Sequence, residues 1–290
     1  MNEENKIEFN KVRNFGETLN ATFNFIGQNF KKFLKSFIFI AGPFLLIQTI
    51  VQVYAYSNLY GNTRTGVVDF SIFGKLLLVY PFTILSLVFI QLVTYNYIIL
   101  YKKYGKDGFT INDLWLACRR NFWRLLGISF LVGLMTGAAT LLIIVPGIYV
   151  FIASSLAPFI LLYEDISVGD AIGRSFNLIK GKWWFTAGIL LVVYIVQVMF
   201  SYALMIPTMI ATFVFGAHNI ESDPTAPAAF LNGLMVIMSV LQNLTEFIYT
   251  FAMVALAFVY FSILERKEAK GLNDRLDKML EGEGESSAGL

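Results

Sequence analysis

Glu246 is the one acid that stands inside a long apolar run of this chain, the segment from about 230 to 264. Ser239, Gln242, Asn243, Tyr249 and Thr250 lie three, four or seven residues from it, spacings that put side chains on a common face of a helix. An ionisable group at mid-bilayer costs roughly 2.5–3.5 kcal/mol on insertion scales, and it turns towards a bundle interior or a wet cavity. Two readings follow for this polar cluster. One is a protonation or cation site in a transport path. The other is a protonated carboxyl held by amides of neighbouring helices, with a purely structural role. The sequence places no second intramembrane acid or base to relay a proton.

Little else has the material for chemistry. His218 is the only histidine and Cys118 the only cysteine, so an intrachain disulfide is impossible and a histidine metal cluster or a Ser-His-Asp relay has almost no material. No metal and no cofactor are expected. Glu164 and Asp165 are neighbours, and adjacent positions on a helix point apart. Gly-rich phosphate loops, GxSxG elbows and HExxH pairs are missing from the sequence. The expectation is a protein that is not an enzyme. A net charge of +2 is too small to point to nucleic acid.

The elements that must carry the cluster are membrane helices. Fifty-seven per cent of the 290 residues are hydrophobic and only 14% are charged, against roughly 25% charged in soluble domains. Apolar runs long enough to cross a bilayer fall at 37–56, 72–100, 125–145, 148–163, 183–215 and 230–264. The fold class read from this is all-α, a polytopic protein with six transmembrane helices and three interfacial amphipathic helices. Its parts are an N-terminal cytoplasmic or interfacial helix (1–36), the six-span domain (37–264) and a cytoplasmic tail (265–290) whose last ten residues are disordered. Residues 1–32 lack an apolar h-region, so no cleavable signal peptide is expected.

The interfacial helices are read at 10–30, 110–124 and 167–180. In the first, Val12, Phe15, Leu19, Phe23 and Ile26 recur at spacings of three and four, one greasy stripe suited to lie on the membrane. The second opens on Thr110-Ile111-Asn112-Asp113, a capping-box spacing, and the third on Ser167 and Asp170. Trp115, Arg119, Arg120, Trp123, Arg174, Lys180, Lys182, Trp183 and Trp184 are expected as membrane-interface anchors. Gly133 and Gly137 stand four apart, a spacing that suits close helix packing. Pro146-Gly147 reads as the turn between the third and fourth spans, and kinks are expected at Pro43, Pro81, Pro158 and Pro207. Loops fall at 57–69 and 218–227.

All of the 22 Lys and Arg residues except Arg64 and Lys75 fall on one side of these spans. The positive-inside rule then puts both termini in the cytoplasm of a multi-pass bacterial inner-membrane protein. Membrane lipid is the expected partner, and a membrane-protein partner or a homo-oligomer also fits.

The chain contains an internal repeat. Glu17-Thr18-Leu19-Asn20-Ala21-Thr22-Phe23-Asn24-Phe25-Ile26 aligns with Asp170-Ala171-Ile172-Gly173-Arg174-Ser175-Phe176-Asn177-Leu178-Ile179, and a shorter copy starts at Asp113. Three units of surface helix plus hairpin are implied. Further, Val145-Pro146-Gly147, Ala157-Pro158-Phe159, Tyr163-Glu164-Asp165, Asp170-Ala171-Ile172-Gly173-Arg174-Ser175 and the exit Tyr260-Phe261-Ser262-Ile263-Leu264-Glu265-Arg266 resemble one bacterial membrane-domain family. It is the domain that precedes some glycerophosphodiester phosphodiesterases, together with YciC-type proteins. The resemblance implies six helices in a cytoplasmic membrane and brings no catalytic residues. As no phosphodiesterase domain follows in this sequence, that activity is not expected. The function expected is non-enzymatic: an assembly, scaffold or lipid-organising component. The alternative is a small-solute or lipid transporter that uses Glu246.

Overall fold

The computed structural model describes residues 7–57, 71–219 and 226–268. All of the expected loop at 57–69 but Ser57, most of that at 218–227 and nearly all of the tail from 265 lie outside the described residues. What is described is helical throughout: α1 (Phe15–Ile40), α2 (Gly42–Ser57), α3 (Ser71–Tyr104), α4 (Ile111–Leu142), α5 (Ile144–Ser154), α6 (Ala157–Tyr163), α7 (Val168–Ile179), α8 (Trp183–Asn219), α9 (Ala226–Thr245), a single 3-10 turn (Glu246–Ile248) and α10 (Tyr249–Glu268). Five stretches are long and apolar enough to cross a membrane, and α1 with α2, bent by 54°, makes a sixth if the pair is one span. By length and hydropathy this is a multi-pass integral membrane protein.

Three cap residues start the three repeats. Asn14 accepts from the Glu17 N–H and Thr110 from the Asp113 N–H, each acid reaching back to close a capping box, and Ser167 accepts from the Asp170 N–H. Each cap satisfies a backbone donor that the first helical turn leaves free. Past the caps, the three units differ from the expectation and from one another. The first surface helix is continuous with the start of the first span to Ile40 and bends at Ala41, just before Gly42-Pro43. The second does not exist apart from its span, because α4 runs unbroken from Ile111 to Leu142. Only the third is a separate helix, set off from α8 by a turn at Lys180–Lys182 in which Gly181 takes φ +80°. That backbone region is open to glycine at no steric cost.

The face that α1 turns inward is also unlike the expected greasy stripe. Thr18, Thr22, Phe25, Ile26, Asn29 and Phe33 are buried, whereas Phe15, Phe23 and Phe30 are exposed. Small and amide-bearing residues pack the interior, and the hydroxyls of Thr18 and Thr22 are satisfied by carbonyls four residues back. Apolar residues on the outside suit a helix solvated by acyl chains.

α10 is the axle of the bundle. Every residue from Met253 to Leu264 is buried, as expected of a helix surrounded by others on all sides. α1, α3, α7 and α8 pack around it. By contrast, only 11% of the most apolar window of α4, and of that of α8, is buried, so these helices form the rim. Gly133 and Gly137 belong to that rim. Both are exposed, and a Cβ on either would meet nothing within 4 Å, so they do not pack helices within the chain.

The turn between α4 and α5 is not Pro146-Gly147. It is the single extended residue Ile143, and Pro146 and Gly147 lie in the first turn of α5. The Ile143 N–H donates to Ala139 O at 3.2 Å, and Ile143 O accepts from the Gly147 N–H at 3.4 Å. Pro146 has no N–H to satisfy. A Cβ on Gly147 would come within 2.8 Å of Thr140 Cα, so glycine is what lets α4 and α5 approach this closely. The tip, Leu141 to Val145, carries only exposed apolar side chains.

The bend at Ala41 adjoins Pro43, and the other three prolines expected to kink a helix differ in setting. Pro81 and Pro207 sit within continuous helices, and Pro158 lies in the first turn of α6, just after a break at Ser155–Leu156. Neighbouring groups in a membrane bundle re-satisfy the carbonyl a proline frees. The long sixth span is interrupted instead at Glu246, by the 3-10 turn.

Before α1, an extended strap reaches into the bundle. Phe9 is 7% exposed, stacks on Phe258 at 5.5 Å and meets Phe25, Tyr101 and Phe261 edge-on. Arg13 exchanges a reciprocal pair of hydrogen bonds with Ser262: its N–H donates to Oγ (2.9 Å), and the hydroxyl donates to its carbonyl (3.2 Å). Burial lowers the affinity of the Arg13 guanidinium for its proton, and the charges of Glu8 and Glu17 oppose that only in part. The guanidinium donates to the carbonyls of Phe9, Lys11 and Glu8 and lies 5.0 Å over the Phe258 ring.

Candidate functional site: a polar cavity around Glu246

Three helices carry pairs of polar residues four apart: Gln48 and Gln52 on α2, Gln197 and Ser201 on α8, and Gln242 and Glu246 at the end of α9. Positions i and i+4 share a helix face, and here the three faces converge. Together with Thr83 and Tyr80 of α3 and Tyr249 of α10 they line a cavity of about 570 Å³. That is in the range of small-ligand pockets, roughly 300–1,000 Å³. Apart from Thr245, its remaining wall is apolar, with Leu87, Leu204 and Met238 among the contributors.

Glu246 is 8% exposed and Gln48 fully buried. Gln48 Nε2 donates to Glu246 Oε1 at 2.7 Å and also lies 3.3 Å from Thr83 Oγ1. These two bonds commit the amide nitrogen and fix which way the amide points. Asn243, one turn before Glu246, donates from Nδ2 to Thr49 Oγ1 at 2.6 Å. The 3-10 turn hands the helix from α9 to α10 here, and the Tyr249 N–H is shared between the carbonyls of Glu246 and Phe247.

Satisfaction of the cluster is incomplete. Gln48 Oε1, Gln52 Oε1, Asn243 Oδ1, Glu246 Oε2 and Thr250 Oγ1 are buried and have no protein partner. Buried polar atoms are nearly always paired, and leaving one unpaired costs about 1–3 kcal/mol. Three of these five are amide oxygens, which only accept, and a fourth is the second oxygen of the carboxyl. No lysine or arginine lines the cavity. Among the described residues, no group of three His, Cys, Asp or Glu side chains comes together to hold a metal.

Of the residues singled out from sequence, Ser239, Asn243, Glu246 and Thr250 are buried on one side of the α9–α10 junction, and Gln242 and Tyr249 border the cavity. Gln48, Gln52, Thr83, Gln197 and Ser201 were not among them. The i, i+4 polar pairs inside apolar runs were the signal that could have found four of the five.

The opposite end of the bundle carries a different network. Glu164 Oε1 accepts from the Tyr260 hydroxyl (2.7 Å) and from Arg174 Nε (3.2 Å), and Arg174 also pairs with Glu268 at 2.5 Å. Burial works against the Arg174 charge, but these two carboxylates outweigh it and strengthen its hold on its proton. Arg124 pairs with Asp165 and donates to Ile166 O at 2.8 Å. Arg174, expected as an interface anchor, is thus an internal cross-link between α7 and α10. Trp123 and Trp184, respectively 76% and 83% exposed, do face outward. Trp115, Arg119, Arg120 and Lys180 are also exposed, and Lys182 is partly covered. Trp183 lies half-buried, stacked on Tyr149 at 6.0 Å.

No protein-family model, no curated protein and no solved structure matches the chain.

Proposed function

We propose that this integral membrane protein binds a small polar solute in the Glu246 cavity and passes it across the membrane without chemical change. The observation that carries the reading is that Gln48, Gln52 and Glu246, each with a buried side-chain oxygen that has no partner among the described residues, line one cavity of about 570 Å³. A purely structural carboxyl would be expected to have both oxygens satisfied by its neighbours, and Oε2 is not. Glu246 lies 20 residues before Arg266, about 30 Å of helix, so the cavity is near the end of the bundle opposite its basic surface. With the positive-inside rule, that basic surface is cytoplasmic, in a bacterial inner membrane.

An assembly or lipid-organising component accounts for the wide lipid-facing surface of α4 and α8 but gives the cavity no use. The resemblance to the phosphodiesterase-associated membrane domains fits either reading, because it assigns no residue a role.

The lone native thiol, Cys118, is fully buried, which makes cysteine accessibility the direct test. Thr83→Cys and Ser201→Cys variants would be treated with a small membrane-impermeant thiosulfonate in vesicles of each orientation. Labelling from both faces supports a route across the membrane. Labelling from one face only would overturn transport and leave a binding pocket.

A further inference from the structure

The orphaned atoms of the cavity specify a solute class, an inference that rests on the reading of this cavity as a solute site. Gln48 Oε1 and Gln52 Oε1 each need a hydrogen-bond donor, and so does Glu246 Oε2 in the ionised carboxylate. The amide of Gln48 cannot be turned to offer a donor in place of its oxygen without giving up its bond to Glu246. Three acceptors, one of them on a carboxyl group, match an –NH3+ head, which carries three donors, a positive charge and no acceptor. A polyol would meet the acceptors, and the amide and hydroxyl groups of the wall could donate to its own oxygens, but it brings no positive charge to the carboxyl. An anion would find no basic side chain to receive it.

The rest of the wall suits a short carbon body. Tyr80 and Tyr249 border the cavity beside Leu204 and Met238, and aromatic faces attract ammonium groups. A bare metal ion is a poor fit. Oxygen ligands hold calcium at about 2.3–2.6 Å, and a cavity of about 570 Å³ is far larger than such a cage. We propose that the cavity takes a small alkylammonium solute, its –NH3+ head bound by Glu246, Gln48 and Gln52 and its carbon chain lying against the apolar wall.

The test uses the full chain with Thr83→Cys in lipid nanodiscs and follows the rate of thiol labelling with and without n-butylammonium, glycerol or acetate. Butylammonium is expected to slow labelling, while glycerol and acetate leave it unchanged. Glu246→Gln is expected to raise the butylammonium concentration required by about tenfold or more, equivalent to about 1.4 kcal/mol. Gln52→Leu, which leaves the Gln48–Glu246 bond in place, is expected to weaken protection less and serves if Glu246→Gln does not fold. Protection by glycerol but not by butylammonium, protection by none of the three, or equal protection in both substituted variants and the parent would overturn the solute class. Absence of labelling in any condition would instead overturn the underlying reading, because the cavity would then be closed to water-borne solutes.

Discussion

Gln48 and Glu246 lie 198 residues apart in sequence and 2.7 Å apart in space, and their bond joins the first hairpin of the chain to the last. It is the one hydrogen bond the carboxyl receives, and it anchors α2 to the junction of α9 and α10. Replacing Gln48 with leucine strands a buried acid, so a loss of about 1–3 kcal/mol is expected. Glu246→Gln keeps the shape and an acceptor for Gln48 and is expected to change stability by less. Thermal unfolding in a mild detergent compares the two, and equal losses would count against the asymmetry.

The α4–α5 hairpin depends on a missing side chain. Gly147→Ala puts a methyl group within 2.8 Å of Thr140 Cα, and overpacking of this kind costs about 1–3 kcal/mol. Thr140 Oγ1 obstructs too and is removed by Thr140→Ala, but Cα at 2.8 Å and Cβ at 2.9 Å remain, so the second substitution is expected to restore only part of the loss. Thermal unfolding of the single and double variants checks both statements.

The tip of that hairpin should sit in acyl chains rather than in water. Its side chains from Leu141 to Val145 are apolar and exposed, and the Ile143 N–H and carbonyl are both bonded, as hydrocarbon requires. An Ile143→Cys variant is expected to resist an impermeant thiol reagent and to react with a lipid-soluble one. Ile143→Lys is expected to cost up to about 2.5–3.5 kcal/mol in insertion, visible as reduced membrane yield.

Much of this architecture was legible in the sequence. Thr110 with Asp113 and Ser167 with Asp170 announced two helix starts, because a cap and the donor it satisfies are only three residues apart. Asn14 with Glu17 followed the same rule and was hidden within the apolar stripe from Val12 to Ile26, of which Val12, Phe15 and Phe23 face outward and Ile26 inward. Glu246 was conspicuous as the one acid in an apolar run. Its partners were not, since Gln48 and Thr83 come from other helices and nothing local specifies which faces meet. The junctions were illegible for a related reason. A bend at Ala41, a straight α4 and a turn at Gly181 carry the same repeat, and which one forms depends on what each surface segment packs against.

At the basic end, acid should loosen one tether. The hydrogen bond and charge of Arg124 hold the Asp165 carboxyl below the ordinary carboxylate range. Its contribution is therefore complete above the unfolded value of about 3.9 and is lost as pH falls through the lower native value. Asp165→Asn should flatten the acid limb of a thermal-midpoint profile taken from about pH 5 to about pH 2. The change is expected to be small, as for exposed pairs generally.

The strap before α1 should matter more than its length suggests. Phe9→Ala removes a ring that meets four others, and truncations of this kind cost about 3–5 kcal/mol when the site cannot collapse. Faster proteolytic cutting near residue 9, together with a lower thermal midpoint, is the expected result. An unchanged midpoint would mean that the strap is not seated in the membrane-bound protein.

The hydrogen bonds between Arg13 and Ser262 span 249 residues. Chains are synthesised at about 5–20 residues per second, so roughly 12–50 s separate the making of the strap from the making of its seat. Through that interval Phe9 and Arg13 have no α10 to rest on, while the earlier hairpins are already entering the lipid. The strap can be seated only once the last helix has been made, and a chain that stops short of Ser262 lacks the partner that holds Arg13 in place.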